Sequence, residues 1–141
     1  MEALFGGKAS AQLAKHTEEK AMTILIDSYR MRVEDELNFR GNEAKDSIYD
    51  GGDPVKGFRR YLVKAESVSG LLPRWWNEHK REACVALGAR KDHWYRLDRA
   101  VEKSDIQEHY GDGAMPMHLR MLAEEIVGSY VARPGVGLSD L

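Results

Sequence analysis

The densest run of groups able to do chemistry is Glu102-Lys103-Ser104-Asp105-Ile106-Gln107-Glu108-His109-Tyr110-Gly111-Asp112. Asp105 and His109 stand four residues apart. On a helix they share a face, where a carboxylate beside an imidazole can hold and pass a proton near neutral pH. The same spacing also arises in ordinary helix contacts. Ser104 is the nearby hydroxyl that could carry an acyl group, but Ser104-Asp105-Ile106-Gln107 has the S-x-x-Q form of a capping box, which accounts for a serine without chemistry. A second set is Arg30-Met31-Arg32-Val33-Glu34-Asp35-Glu36. Glu34 follows Arg30 by four, so a surface ion pair explains both. Alternatively, Glu34 and Asp35 line a pocket for a cation, because carboxylates accept paired hydrogen bonds from a planar guanidinium.

The stretch Asp46-Ser47-Ile48-Tyr49-Asp50-Gly51-Gly52-Asp53-Pro54 is rich in acids and glycines. Asp46, Asp50 and Asp53 lack the ordered spacing of an EF-hand loop, so a turn followed by a helix cap is expected rather than a metal site. Tyr49 and Asp50 are candidates for substrate contact. Lys56, Arg60 and Lys64 recur every four residues, and with Arg59 and Arg74 they form a candidate face for a polyanion, a solvated basic face being the plain alternative. Trp75 and Trp76 could stack on unpaired bases, although beside Leu71, Leu72 and Pro73 at least one is expected in the core. Cys84, between Ala83 and Val85, reads as a buried inert thiol, since no base is placed to activate it.

These groups must be held by helices. Thr17 can cap a first helix, with Glu18 and Glu19 in its first turn and Met22, Leu25, Ile26, Tyr29, Val33 and Leu37 as its apolar stripe. Asp27, Arg30, Glu34 and Asp35 fall on the opposite face. Asp53-Pro54 reads as an N-cap with proline at the first helical position, followed by a stripe of Phe58, Tyr61, Leu62 and Ala65 and a stop at Gly70. Asn77 can cap a third helix to Leu87, with Gly88 as its stop. Asp92 opens a short helix or turn through Trp94, Tyr95 and Leu97. Asp105 to Tyr110 makes a one- to two-turn helix ended by Gly111. Pro116 opens the last helix, striped by Leu119, Leu122, Ala123 and Ile126 and ended by Gly128. Strand signals are scarce. The expected fold is all-α, a compact single domain of five to six short helices over residues 17–128, with residues 1–16 and 129–141 as flexible terminal segments.

The chain has 141 residues, 21 basic and 23 acidic, and one cysteine. A single cysteine excludes an intramolecular disulfide framework and leaves too few ligands for a structural zinc finger. No apolar run reaches the 18 or so residues that a membrane helix needs, and MEALFGGKASAQLAKHTEEK lacks the apolar stretch of a signal peptide. A cytoplasmic setting is the expectation. Charge is unevenly spread, with a net of −4 over residues 1–55, +6 over 56–100 and −4 over 101–141. A basic middle between acidic ends could present one positive surface.

Six segments in unbroken order carry a family resemblance: Ile26-Asp27-Ser28-Tyr29-Arg30-Met31-Arg32-Val33-Glu34-Asp35, Asp46-Ser47-Ile48-Tyr49, Phe58-Arg59-Arg60-Tyr61-Leu62, Gly70-Leu71-Leu72-Pro73-Arg74-Trp75-Trp76, Ala100-Val101-Glu102-Lys103-Ser104-Asp105-Ile106 with His109-Tyr110-Gly111-Asp112, and Met115-Pro116-Met117-His118-Leu119-Arg120-Met121. Together they resemble the module downstream of the zinc finger in fungal MYND-type proteins. Without the finger, the same module resembles the arginine-containing cyclodipeptide synthases of fungal secondary metabolism. The finger's cysteines are missing here, which favours the synthase branch. Arg74 after Pro73, and Gly113-Ala114 before Met115, depart from the pattern.

The resemblance implies an enzyme that joins arginine, delivered by arginyl-tRNA, to an amino acid from a second aminoacyl-tRNA, giving a cyclo-Arg-Xaa diketopiperazine. The ester is already activated, so neither ATP nor metal is implied. The expected tasks are positioning, proton transfer and oxyanion stabilisation. On this view Glu102, Ser104, Asp105 and His109 are the catalytic candidates. Glu34, Asp35, Tyr49, Asp50, Trp76, Lys103 and Tyr110 are the substrate-binding candidates, and Lys56, Arg59, Arg60, Lys64 and Arg74 would meet the tRNA. The second amino acid and the oligomeric state are left open. A different class of function, a non-catalytic helical protein-interaction module derived from MYND-type regulators, predicts the same fold, and plain RNA binding needs only the basic patch. As an enzyme, the chain should bring Glu34, Asp35, Tyr49, Lys103, Asp105 and His109 to one concave pocket beside a positive surface. As an interaction module, it should leave them as separate ion pairs and caps.

Overall fold

A computed structural model describes residues 13–128, so the terminal segments 1–12 and 129–141 lie outside it. Among the described residues five helices follow one another: α1 (Glu18–Arg40), α2 (Pro54–Glu66), α3 (Glu78–Ala89), α4 (Lys103–Tyr110) and α5 (Met115–Val127). The described residues contain no strand. The architecture is all-α, with α1 packed against α2, α3 and α5, and α5 also touching α2 and α4.

The caps explain where the chain turns helical. The Thr17 side chain accepts from Lys20 N at 3.2 Å, Asp53 from Val55 N at 3.0 Å and Asn77 from Lys80 N at 2.8 Å. Each satisfies an amide that the helix leaves without an internal partner. At the far end of α1, Gly41 adopts φ 64°, and its N–H returns to Leu37 O, a helix end that suits a residue without Cβ.

Helix α1 is central because it is buried on nearly every side, not on one stripe. Leu25 and Ile26 are wholly buried, as the apolar spacing demands, but so are Asp27, Ser28 and Glu36, and Arg30, Arg32 and Asp35 are nearly so. The expected solvated face therefore does not exist between residues 27 and 36. Burying charge costs several kcal/mol per ion unless a partner compensates, and here each has one. Asp27 pairs with Arg30 at 3.0 Å and Arg32 with Glu36 at 3.0 Å, while Asp35 accepts two bonds from Arg120 of α5 at 2.8 and 3.0 Å. The surface pair expected between Arg30 and Glu34 is replaced by the buried Asp27–Arg30 pair.

Phe58, Tyr61, Leu62 and Ala65 of α2 are fully buried, as their spacing requires, and Tyr61 shares a 2.9 Å hydrogen bond with Ser28 of α1. Leu13, within the segment expected to be flexible, is also wholly buried. Several boundaries differ from the sequence reading. Helix α2 ends at Glu66, before Gly70. Helix α3 runs through Gly88 to Ala89. Gly88 is a packing position, not a stop: a Cβ there would lie 3.0 Å from two Leu97 carbons. Residues 90–102 are turns, with Trp94, Tyr95 and Leu97 folded back over α1 and α3. Helix α4 begins at Lys103 and not Asp105. Its N-cap is Glu102, whose N–H donates to Asp105 Oδ2 at 2.9 Å, so the capping pair is Glu102 and Asp105 and not Ser104 and Gln107.

Candidate functional site

Lys20, Asp27, Arg30 and Glu34 succeed one another along α1 at steps of seven, three and four, which places them on one face. The turns over residues 94–102 and the end of α4 roof this polar stripe. Asp27 accepts from Arg30 Nη1 at 3.0 Å and from Tyr110 Oη at 2.5 Å. The same Nη1 donates to Trp94 O at 2.9 Å, Arg30 Nε donates to Arg99 O at 3.4 Å, and the guanidinium carbon lies 4.8 Å from the Trp94 ring centroid. A carboxylate, two carbonyls and an aromatic face thus enclose one guanidinium. Lys20 Nζ lies 4.7 Å from the Tyr110 ring centroid.

Burial dominates the electrostatics of this cluster. Desolvation raises the Asp27 carboxyl to about 6, against the opposing pull of Arg30, Tyr110 and Lys20. Burial lowers Arg30, partly offset by Asp27. Tyr110 is pushed well above the usual phenol range, first by burial and then by the adjacent Asp27 charge. Because the folded Asp27 holds its proton more tightly than an unfolded aspartate, its contribution to stability is full below about pH 4 and is lost as pH rises through about 6. The free-energy advantage of wild type over Asp27→Asn should therefore fall by roughly 2 kcal/mol between pH 4 and pH 7, most of what a roughly hundredfold difference in proton affinity is worth. Urea titrations of both chains across that interval measure it, and a pH-independent difference would contradict the assignment.

His109 lies flat on Trp94, with ring centroids 3.7 Å apart and planes 2° from parallel. Tyr95 and Tyr110 meet it edge-on at 5.7 and 5.1 Å. Partial burial, together with the Lys20 and Arg30 charges, lowers its pKa. No Asp105–His109 pair forms among the described residues. Asp105 caps its own helix, and His109 is held by ring contacts.

The other expected site residues divide, and Glu34, Asp35, Tyr49, Lys103, Asp105 and His109 do not meet in one pocket as the enzyme reading expects. Tyr49 Oη donates to Glu34 Oε1 in a very short contact, and Glu102 is close enough to help raise the Tyr49 phenol, which burial and Glu34 push up to about 12. Glu34 also lines a shallow cleft of about 260 Å³, open mouth included, with Arg30, Ser47, Ile48 and Arg99. Its enclosed part holds about one water at most. Asp35 does not join Glu34, because neighbours on a helix point about 100° apart and Asp35 faces Arg120. Asp50 is committed to its own loop, where its carboxylate accepts from Asp46 N, Ser47 N and Gly52 N, and these bonds hold its pKa low. Trp76 donates to Glu66 at 2.9 Å on the α2–α3 side. Lys103 and Ser104 are exposed in the first turn of α4.

Much of the basic middle is engaged in ion pairs. Arg59 pairs with Glu82, Arg60 with Asp46, Lys80 with Glu18, Arg90 with Asp92 and Arg96 with Asp98. Lys56, Lys64 and Arg74 remain exposed. Glu82, Asp92 and Asp98 already count within the +6 of residues 56–100, so of these acids only Asp46 and Glu18, which come from outside that stretch, offset it. Cys84 is buried, its thiol raised by desolvation, which fits an inert side chain.

No family model, no curated protein and no solved structure matches this chain. Its site therefore rests on its own geometry. Among the described residues, no group of three or more His, Cys, Asp or Glu side chains is placed to hold a metal, and no helix is long and apolar enough to cross a membrane. Sequence reasoning misses Lys20, Asp27, Arg30 and Trp94 as site residues. The available signal is the step of seven, three and four on α1, which the sequence reading gives to solvent because charged side chains usually face water.

Proposed function

We propose that the chain is an aminoacyl-tRNA-dependent cyclodipeptide synthase that makes a cyclo-Arg-Xaa product, with Asp27, Tyr110, Glu34, Tyr49 and Glu102 as its working groups. The observation that carries the chemistry is the Asp27–Tyr110 hydrogen bond, which ends on a carboxyl raised to about 6. Before an α-amine can attack an ester carbonyl, its ammonium form must lose a proton, and a group poised near neutral pH is suited to take it. The proton passes to the Tyr110 oxygen as that phenol gives its own proton to Asp27. Glu34, which lines the cleft and accepts from Tyr49, and Glu102, whose charge acts on the same phenol, supply negative charge for the arginyl guanidinium.

Wild type expressed in a host with ordinary aminoacyl-tRNA pools should release a cyclo-arginyl dipeptide, detected by mass spectrometry of the culture extract. Tyr110→Phe keeps the ring and removes the hydroxyl, and should lower product at least ~100-fold with a cooperative thermal transition retained. A metabolite profile identical to that of the empty host ends the proposal.

A second reading, a non-catalytic helical interaction module, is favoured by the pairing of Arg59 and Arg60 with acids and by a cleft whose enclosed part holds about one water. It expects no product and a Tyr110→Phe variant that differs from wild type only in stability.

A further inference from the structure

The parallel stack of Trp94 and His109 is not needed by the proton path and has the form of a base-stacking platform. We propose that His109 on Trp94, with Lys20 beside them, seats the unpaired 3′-terminal adenine of the acceptor strand and its phosphate; this inference rests on the tRNA-dependent reading above. Three observations converge on it. The rings are 3.7 Å apart and 2° from parallel, the spacing at which a further aromatic plane continues a stack. His109 is exposed although Trp94 underlies it, and no hydrogen bond or ion pair turns its ring elsewhere among the described residues. Lys20, which is exposed, lies 4.7 Å from the centroid of the Tyr110 ring that meets His109 edge-on, so one cation borders the platform and a strand phosphate is its complementary partner. The His109 ring is planar, and every base offers a face to stack on, so the contact would hold the strand's end without reading its sequence. This also gives the His109 position a role that the missing Asp105 partner does not supply.

The test uses the full chain and the trinucleotide CpCpA, labelled at its 5′ end and followed by fluorescence anisotropy. Wild type should bind CpCpA about tenfold more tightly than the same trinucleotide with an abasic third position, the effect of one stacked base. His109→Ala should abolish that preference, and His109→Phe should retain it, a readout that general loss of stability does not imitate. Lys20→Gln should lower the slope of log affinity against log salt by about 0.7, as for one phosphate on a single strand. The platform is overturned if wild type does not distinguish the two trinucleotides, or if His109→Ala keeps the preference. Both failures are separable from failure of the synthase reading. If the host culture still yields the cyclic dipeptide, the enzyme stands and the adenine sits elsewhere. If CpCpA binds through His109 but no dipeptide is made, the platform stands and the chemistry does not.

Discussion

Gly57→Ala should destabilise the protein by about 3 kcal/mol or more, enough to lower the melting temperature by roughly 10 °C. Helix propensity alone predicts the opposite sign, since alanine in a helix interior is favoured over glycine by about 1 kcal/mol. Packing decides against it. A Cβ on Gly57 would lie 2.3 Å from the Asp46 carbonyl oxygen and 2.3 Å from the Tyr29 hydroxyl. Tyr29 Oη donates to that same carbonyl at 3.3 Å, so α2 approaches α1 and the 46–53 loop through the space that glycine leaves. The Asp46 carbonyl cannot retreat freely, because the loop is fixed by three backbone amides on Asp50 and by the Asp46–Arg60 pair at 2.8 Å. Lys56→Ala, on the exposed side of the same turn, should change stability by less than about 0.5 kcal/mol. Thermal unfolding of the two variants makes the comparison, and a Gly57→Ala chain as stable as wild type would show that α2 has room to move away from the loop.

A similar loss is expected from Glu36→Ala, at about 3–5 kcal/mol. Glu36 is wholly buried and accepts from Arg32 Nε at 3.0 Å and from Asn42 Nδ2 at 2.9 Å. Arg32 is only 2% exposed, so removal of the carboxylate takes a counter-charge away from a guanidinium held out of water. The cost belongs to the charge left behind and not to the strength of the pair, and that distinction can be measured. Replacing both residues with apolar side chains of similar volume, Arg32→Met with Glu36→Leu, should recover most of the loss. A double-mutant cycle by urea denaturation gives the coupling. If Glu36→Ala costs under about 1 kcal/mol, or the double variant is no better than the single one, the buried pair is not what holds the end of α1.

The local signals in the chain are sufficient for the helices. Thr17, Asp53 and Asn77 cap where expected, because an N-cap depends on one side chain and an amide two or three residues away. Phe58, Tyr61, Leu62 and Ala65 are buried as a stripe because helical spacing forces them to one side. Glu102 takes the cap expected of Ser104, a choice between two competent side chains two residues apart that spacing does not resolve.

The site depends on long-range facts. That Asp27 meets Tyr110, 83 positions away, and that Asp35 meets Arg120, 85 away, follow from how α4 and α5 dock on α1. Nothing in the neighbourhood of Asp27 or Asp35 encodes that docking. Charge shows the same division. Composition sets how many acids and bases there are, but only folding brings Glu18 to Lys80 and Asp46 to Arg60 and so decides what field the surface presents. Helix type and polarity are properties of neighbours a few residues apart, and the chain states them directly. Burial of a charge, its pKa and its partner depend on which distant segment covers it, and only the tertiary structure supplies that segment.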